Sequence, residues 1–213
     1  MRPVMCEAKQ RLGERGSPIE FIYFPCGALI STIAQMSNGK AVEVSAIGSE
    51  GFHGIDALIG ATHWSDAALV QIAGPAMRMP IADFRQAISA DSPLRRASTR
   101  YLRVYLAGVS QSVACNRLHS VEERFARWVL NSRDRVERDE FELKQEFLAE
   151  MLGVHRPQVS LVAGMFQKAG FVNYRRGQMS ILDRPGLERS ACECYQVGRQ
   201  TLDTIFYGQA DNA

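Results

Sequence analysis

Arg156 and Gln158 stand near the start of the segment RPQVSLVAGMF, in which Val159, Val162, Ala163 and Phe166 recur at helical spacing. That stripe leaves Arg156, Pro157, Gln158, Ser160, Leu161 and Gly164 on the opposite side. An arginine so placed can donate two hydrogen bonds to guanine O6 and N7, and a glutamine can pair with adenine N6 and N7. The alternatives are that Arg156 grips only phosphate and that Gln158 is merely solvated. His155 reads as a turn residue or a phosphate neighbour. Further on, Arg176-Gly177 separates FVNYR from MSIL. The pair of strands this implies has Arg175 and Arg176 at its tip, suited to phosphate contacts.

Other reactive side chains are read more plainly. The five cysteines, Cys6, Cys26, Cys115, Cys192 and Cys194, are odd in number and have no zinc-finger spacing, so reduced structural thiols are expected. If helical, Cys192 and Cys194 point about 200° apart, poor geometry for sharing one metal, and a redox role for them is the lesser reading. Cys115 and His119 are four apart on one helix face but lack a third orienting group. No metal site is expected. His53, His63 and Trp64 are placed where an effector or haem could be sensed, with packing as the preferred reading. There is no GxSxG, P-loop, HExxH or dinucleotide fingerprint, so the expectation is not an enzyme.

The elements that position the first group form a helical unit. Leu143, Phe147, Leu148 and Met151 predict a helix over Phe141 to Leu152, and Gly153 permits the left-handed turn that ends it. Arg156-Pro157 opens a second helix, because proline's missing N–H has no intrahelical partner in a first turn. With small Ala149 and apolar Val154, Val159 and Val162 this is a helix-turn-helix, or else a purely structural corner of two helices. The hairpin that follows is then a wing. Upstream, VEERFARWVL predicts a short helix with Val121, Phe125, Trp128 and Val129 inward, and Ser120 with Glu123 makes a capping box.

Phe21 to about Met79 has a different period. FIYFP, ALISTIAQM, AVEVSAI, AALVQIA and AMRMP read as strands of an antiparallel roll, sandwich or barrel, and Asn38-Gly39 predicts a type I′ hairpin turn. From Leu94 to Leu118 a long helix carries Leu102, Tyr105, Val109 and Val113 in one stripe. It packs on its own β half, or pairs with a symmetry mate across small Gly108 and Ser112, or does both on different faces.

Composition sets the outer bounds. The 213 residues are 46% hydrophobic and 23% charged, enough for two modest domains. Net charge is +2, so any basic surface must arise from local arrangement. No apolar run approaches the roughly 18–20 residues that span a bilayer, and MRPVMCEAKQ lacks the apolar core of a signal peptide. A cytoplasmic protein without membrane contact is expected.

FIYFP followed by Gly27, the NRLHSVEERFARWVL stretch and QEFLAEMLGVHRPQVSLVAGMFQKAGFVNYRRGQMSIL together resemble the Crp/Fnr family of bacterial transcription regulators. The resemblance covers nearly the whole chain. It implies an α+β fold with an antiparallel β-roll of cupin-like, cyclic-nucleotide-binding-like type over 1–92, a dimerisation helix over 93–119, and a winged helix-turn-helix with a C-terminal helix over 120–213. It implies a homodimer on a palindromic operator of double-stranded DNA, and it leaves RNA polymerase open as a further partner. A β-roll that senses a small molecule without acting on DNA is the rival reading.

Departures from that family matter. Where cyclic-nucleotide binders carry Gly-Glu-Leu and then Arg-Ser/Thr-Ala, this chain has Gly54-Ile55-Asp56-Ala57 and Ser65-Asp66-Ala67. The phosphate-neutralising arginine is absent and Asp66 adds a negative charge beside its place, so cyclic AMP is not expected to bind. The family's N-terminal iron–sulfur cysteines are missing, and no cofactor is expected. Pro157 and Leu161 occupy positions where relatives of the best-known specificity have Glu and Arg; only Arg156 matches, so a different operator is implied. The family's short helix ahead of the first strand is missing, so a short or truncated N-terminus is expected.

Overall fold

The computed structural model describes residues 1–39, 41–206 and 208. Its N-terminal half is two antiparallel sheets face to face. One has the order β1 (Arg2–Cys6), β7 (Gly74–Pro80), β3 (Phe21–Pro25). The other runs β2 (Arg11–Gly13), β6 (Ala67–Ile72), β4 (Leu29–Gln35), β5 (Ala41–Ile47). Ile22, Ile30, Ile47, Val70 and Phe84 fill the space between. The five strands expected from Phe21 onward are all present. β1 and β2 have no apolar period to announce them, because the side chains of β1 are mostly exposed and its backbone pairing with β7 defines it.

The hairpin at Asn38-Gly39 is wider than expected. Gln35 pairs with Ala41, so more than two residues separate the strands, and the Gly39 N–H donates to the Met36 carbonyl at 3.0 Å. Of the described loop residues only Gly39 has positive φ, so this is not a type I′ turn. Register here follows burial on both faces of β4, with Ile30 in the roll interior and Ile33 in the core shared with the helical half, rather than the turn dipeptide.

Short helices α1 (Ile55–Leu58) and α2 (Ile81–Ile88) precede the long helix α3 (Pro93–Leu118), whose N-cap Ser92 accepts from the Arg95 N–H. Tyr101 is buried against the roll, 5.4 Å from the Phe52 ring, with Val104 and Tyr105 beside it. Leu106 and Val113 are 57% and 69% exposed. The expected stripe therefore divides between a face docked on the roll and a face turned outward.

α4 (Val121–Val136) has the expected capping box, with the Ser120 N–H donating to Glu123 at 2.8 Å, and it runs well past VEERFARWVL. The helix expected from Phe141 starts only at Gln145. Residues Glu140–Glu142 form β8 instead, because Phe141 and Leu143 are buried while Glu140 and Glu142 are exposed, a period of two. Then come α5 (Gln145–Leu152), α6 (Arg156–Lys168), β9 (Val172–Arg175), β10 (Gln178–Ile181), α7 (Arg184–Ser190) and α8 (Cys194–Phe206). The sheet order is β8-β10-β9. Leu29, Ile33 and Ile72 of the roll share one core with Phe125, Val129, Leu148 and Val162 of the helical half.

Gly51 packs against the Tyr101 ring, and a Cβ there would overlap Tyr101 Cζ and Cε2. Gly51→Ala should lift the long helix and lower stability by about 1–3 kcal/mol; an unchanged denaturation midpoint would show that the contact is slack. His53 is buried, stacked 4.1 Å from Trp64, and its Nε2 has no hydrogen-bond partner. Burial lowers its imidazole from 6.5 to about 4. Below 6.5 the unfolded chain takes up a proton that the folded chain refuses, so stability falls as pH drops from 6.5 to about 4. The loss should be on the order of 3 kcal/mol at most, and His53→Phe should flatten that limb of the pH–stability curve.

Candidate nucleic-acid interface

The corner between α5 and α6 is built as its sequence requires. Gly153 adopts φ 62° and ψ 36°, and the Val154 N–H returns to the Ala149 carbonyl at 2.9 Å. Val159, Val162, Ala163 and Phe166 are buried. Phe166 stacks on Phe125 at 5.2 Å, and Arg124 Nη1 donates to the Leu152 carbonyl at 3.1 Å. Both contacts tie the pair of helices to α4, so α6 is presented from a rigid base.

Its outer face carries His155, Arg156, Pro157, Gln158, Ser160 and Leu161, all exposed, with Gly164 half-buried. Their polar atoms have internal partners. Arg156 Nη1 lies 3.3 Å from Glu146 Oε1, an exposed ion pair of the kind worth well under about 1 kcal/mol. Gln158 Oε1 accepts from the His155 backbone N–H at 3.3 Å, and Ser160 Oγ donates to Gln145 Oε1 at 2.8 Å. Arg156 can leave its partner cheaply. A bidentate glutamine–adenine pair needs both the oxygen and the NH₂ of the amide, so Gln158 must first give up the cap on its own helix.

Arg175 pairs with Gln178 across a two-residue turn in which Arg176 has φ 52° and Gly177 φ 80°. Positive φ at both central positions is the signature of type I′ geometry. The turn type expected at Asn38-Gly39 is thus found at the wing tip, where it turns Arg176 into solvent at the cost of a strained non-glycine residue. Tyr174 Oη donates to the Leu143 carbonyl at 2.6 Å, and its phenol is pushed up to about 12, mainly by burial and then by Glu146. Its N–H donates to Gln167 Oε1 at 2.9 Å, so the wing is fixed to α6 and to the segment just ahead of α5. Sequence reasoning passed over Lys144, an exposed residue whose Cγ lies 3.7 Å from where a Gly177 Cβ would be. Its position just ahead of α5 was the only signal. With Arg175 and Arg176 it makes one basic edge.

The roll holds a cavity of about 260 Å³ against α3, lined by His53, Asp56, Trp64, Asp66 and Tyr105 among others. Asp56 accepts from Ser65 Oγ at 2.6 Å and from the Ser65 N–H at 3.3 Å. Burial, and then Asp56, raises the Asp66 carboxyl. Two neighbouring carboxyl groups make this wall adverse to a phosphate. His63 is exposed, with Nδ1 2.9 Å from Thr62 Oγ1.

Cys192 and Cys194 are not set apart as expected. Cys192 precedes α8 and only Cys194 is helical, so the angle of a regular helix does not separate them. Nor are Cys115 and His119 without further partners: ligand atoms of all four residues lie within 4.8 Å of one another.

Residues 123–190 match the family model of the Crp-like helix-turn-helix domain. Most of the chain superposes on solved regulators of low sequence identity. A CRP-family transcriptional regulator from Thermus thermophilus gives a TM-score of 0.73 at 18% identity, over 88% of this chain and 96% of that one. A second, CRP/FNR-family regulator from the same organism gives 0.69 at 20%, over 89% and 98%. FixK2 from Bradyrhizobium japonicum gives 0.68 at 14%, over 89% and 96%. No curated protein sequence matches the chain. The protein thus carries a Crp-like helix-turn-helix domain within the overall fold of the Crp/Fnr transcriptional regulators.

Proposed function

We propose that the protein is a homodimeric transcriptional regulator that reads a palindromic operator through paired α6 helices without cyclic nucleotide. The observation that carries the reading is the exposed start of α6, with Arg156 held only by a surface ion pair, beside the basic edge of Lys144, Arg175 and Arg176. Arg156 reads guanine, the arginines of the wing hold phosphate, and Pro157 and Leu161 offer apolar contact to thymine methyl groups. His155, Gln158 and Ser160 line the same edge. Nothing in the reading calls for a catalytic step.

Dimerisation is supported by the outward face of α3. Leu102, Leu106, Val109 and Val113 follow spacings of four, three and four, and Leu106 and Val113 are well exposed. Such a stripe buries itself against its symmetry mate, with Gly108 and Ser112 permitting close approach. The roll cavity touches the same helix through Tyr105, Leu106 and Val109. A neutral or cationic effector there would shift the helix pair only by binding one arrangement better than the other. No described helix is long and apolar enough to cross a membrane; a cytoplasmic site of action, with RNA polymerase as a further partner, completes the proposal.

Selection of bound fragments from random DNA should return an inverted repeat with half-sites about one helical turn apart. Against that operator, Arg156→Ala should cost roughly 1–3 kcal/mol and relax one base position, while Arg176→Ala weakens all sequences alike and lowers the salt slope by about 1. Operator preference that survives Arg156→Ala would remove the base-reading role. Indifference to DNA at low salt would favour the rival, a small-molecule sensor without DNA function. Calorimetric titration with cyclic AMP should give no submicromolar binding, and a clear isotherm in that range would refute the charge argument at Asp56 and Asp66.

A further inference from the structure

We propose that Cys115, His119, Cys192 and Cys194 form a tetrahedral zinc site that clamps the end of α3 to the start of α8. Cys115 lies in the last turn of α3 and His119 is its C-cap, while Cys192 and Cys194 bracket the entry to α8. Three of the four are almost wholly buried, and these three sulfurs form a cluster of their own apart from the two main cores.

The four candidate ligand atoms lie within 4.8 Å of one another, and two of their separations already match those around one ion. Zinc bonds of ~2.3 Å to sulfur and ~2.0–2.1 Å to imidazole give tetrahedral edges of about 3.8 Å between sulfurs and about 3.6 Å from sulfur to nitrogen. Here Cys115 Sγ and Cys192 Sγ are 3.6 Å apart, and Cys194 Sγ is 3.5 Å from His119 Nδ1. A cluster of several irons spaces its cysteines by its own wider edges. All four positions are filled by protein, which is the closed arrangement of a structural rather than a catalytic zinc.

The surroundings complete the case. His119 Nε2 lies 3.1 Å from Glu193 Oε2, so the ring can bind metal through Nδ1 while donating its other N–H to a carboxylate, the usual support of a zinc-bound histidine. Gln111 Nε2 donates to Cys194 Sγ at 3.0 Å, a bond that strengthens when the sulfur is a thiolate. Three thiolates around a dication leave one negative charge. Arg127, whose buried Nε has no hydrogen-bond partner among the described residues, stands close enough to act on Cys115 and Cys192 and offsets it.

The full chain, purified reduced and stripped with a chelator, should bind one equivalent of cobalt(II). The visible bands of a tetrahedral ion and thiolate charge-transfer absorption should appear, and zinc should bleach both. Zinc should also raise the thermal midpoint, since an ion that binds only the folded chain stabilises it. Cys192→Ser should lower the thiolate charge-transfer intensity by about a third, and both Cys192→Ser and His119→Ala should shift the visible bands and weaken cobalt binding. Glu193→Gln, at an exposed position that the fold tolerates, should weaken zinc 10–100-fold in a competition assay, roughly the usual effect of losing such a partner. Cys26→Ser, a remote exposed cysteine, should change nothing. Folded wild-type chain that gives no tetrahedral cobalt spectrum, a sulfide-containing brown chromophore, or an unaltered spectrum in Cys192→Ser would each overturn the site. None of these readouts depends on DNA.

Discussion

Helix α4 buries its apolar side against both halves of the molecule at once, and most other features rest on that arrangement. Phe125, Trp128 and Val129 share a core with Leu29, Ile33 and Ile72 of the roll and with Leu148, Val162 and Phe166 of the corner. At about 1.5–3 kcal/mol for each large apolar side chain removed from water, no surface contact competes with this. Polar groups then fix its register. Trp128 Nε1 donates to Glu43 Oε1 at 3.3 Å, and Arg135 Nε meets Glu50 Oε1 at 2.8 Å. Burial raises the Glu43 carboxyl where the helix docks, opposed first by the hydrogen bond from Ser31 and then by the nearby Arg135 and Arg127.

Because α4 is fixed, the corner that it supports is fixed as well. Arg124 holds the end of α5, Phe125 holds α6, and Tyr174 brings the wing back onto Leu143. The outer face can then be loosely held. Weak exposed pairs such as Arg156 with Glu146 hold side chains in place at little energetic cost and are readily exchanged. The left-handed backbone at Arg176 is the opposite case, with strain accepted at a tip so that a charge projects beyond the fold.

The long helix is where the two ends of the molecule meet. Its N-terminal half lies on the roll through Tyr101 and Tyr105, and its C-terminal end meets α8 through Cys115, His119 and Gln111. The roll cavity and the Cys/His cluster therefore both border the same helix, whose outward face carries Leu106 and Val113.

Local order was readable from the chain alone. The strands from Phe21 onward, the Ser120–Glu123 capping box, the left-handed stop at Gly153, and the division of α6 into a buried stripe and an exposed face all follow from residue type and spacing, because backbone preference and burial act over a few residues. Phe141 to Leu143 shows the limit: a run of three is too short to tell period two from helix, and only pairing with β10 makes it a strand. Turn type failed for the same reason at Asn38-Gly39, since strand register decides loop width. What the sequence could not show was convergence. Cys115 and His119 lie more than seventy residues from Cys192 and Cys194. Their spacing matches no contiguous metal motif, and only the packing of α8 on α3 brings these four side chains within 4.8 Å of one another.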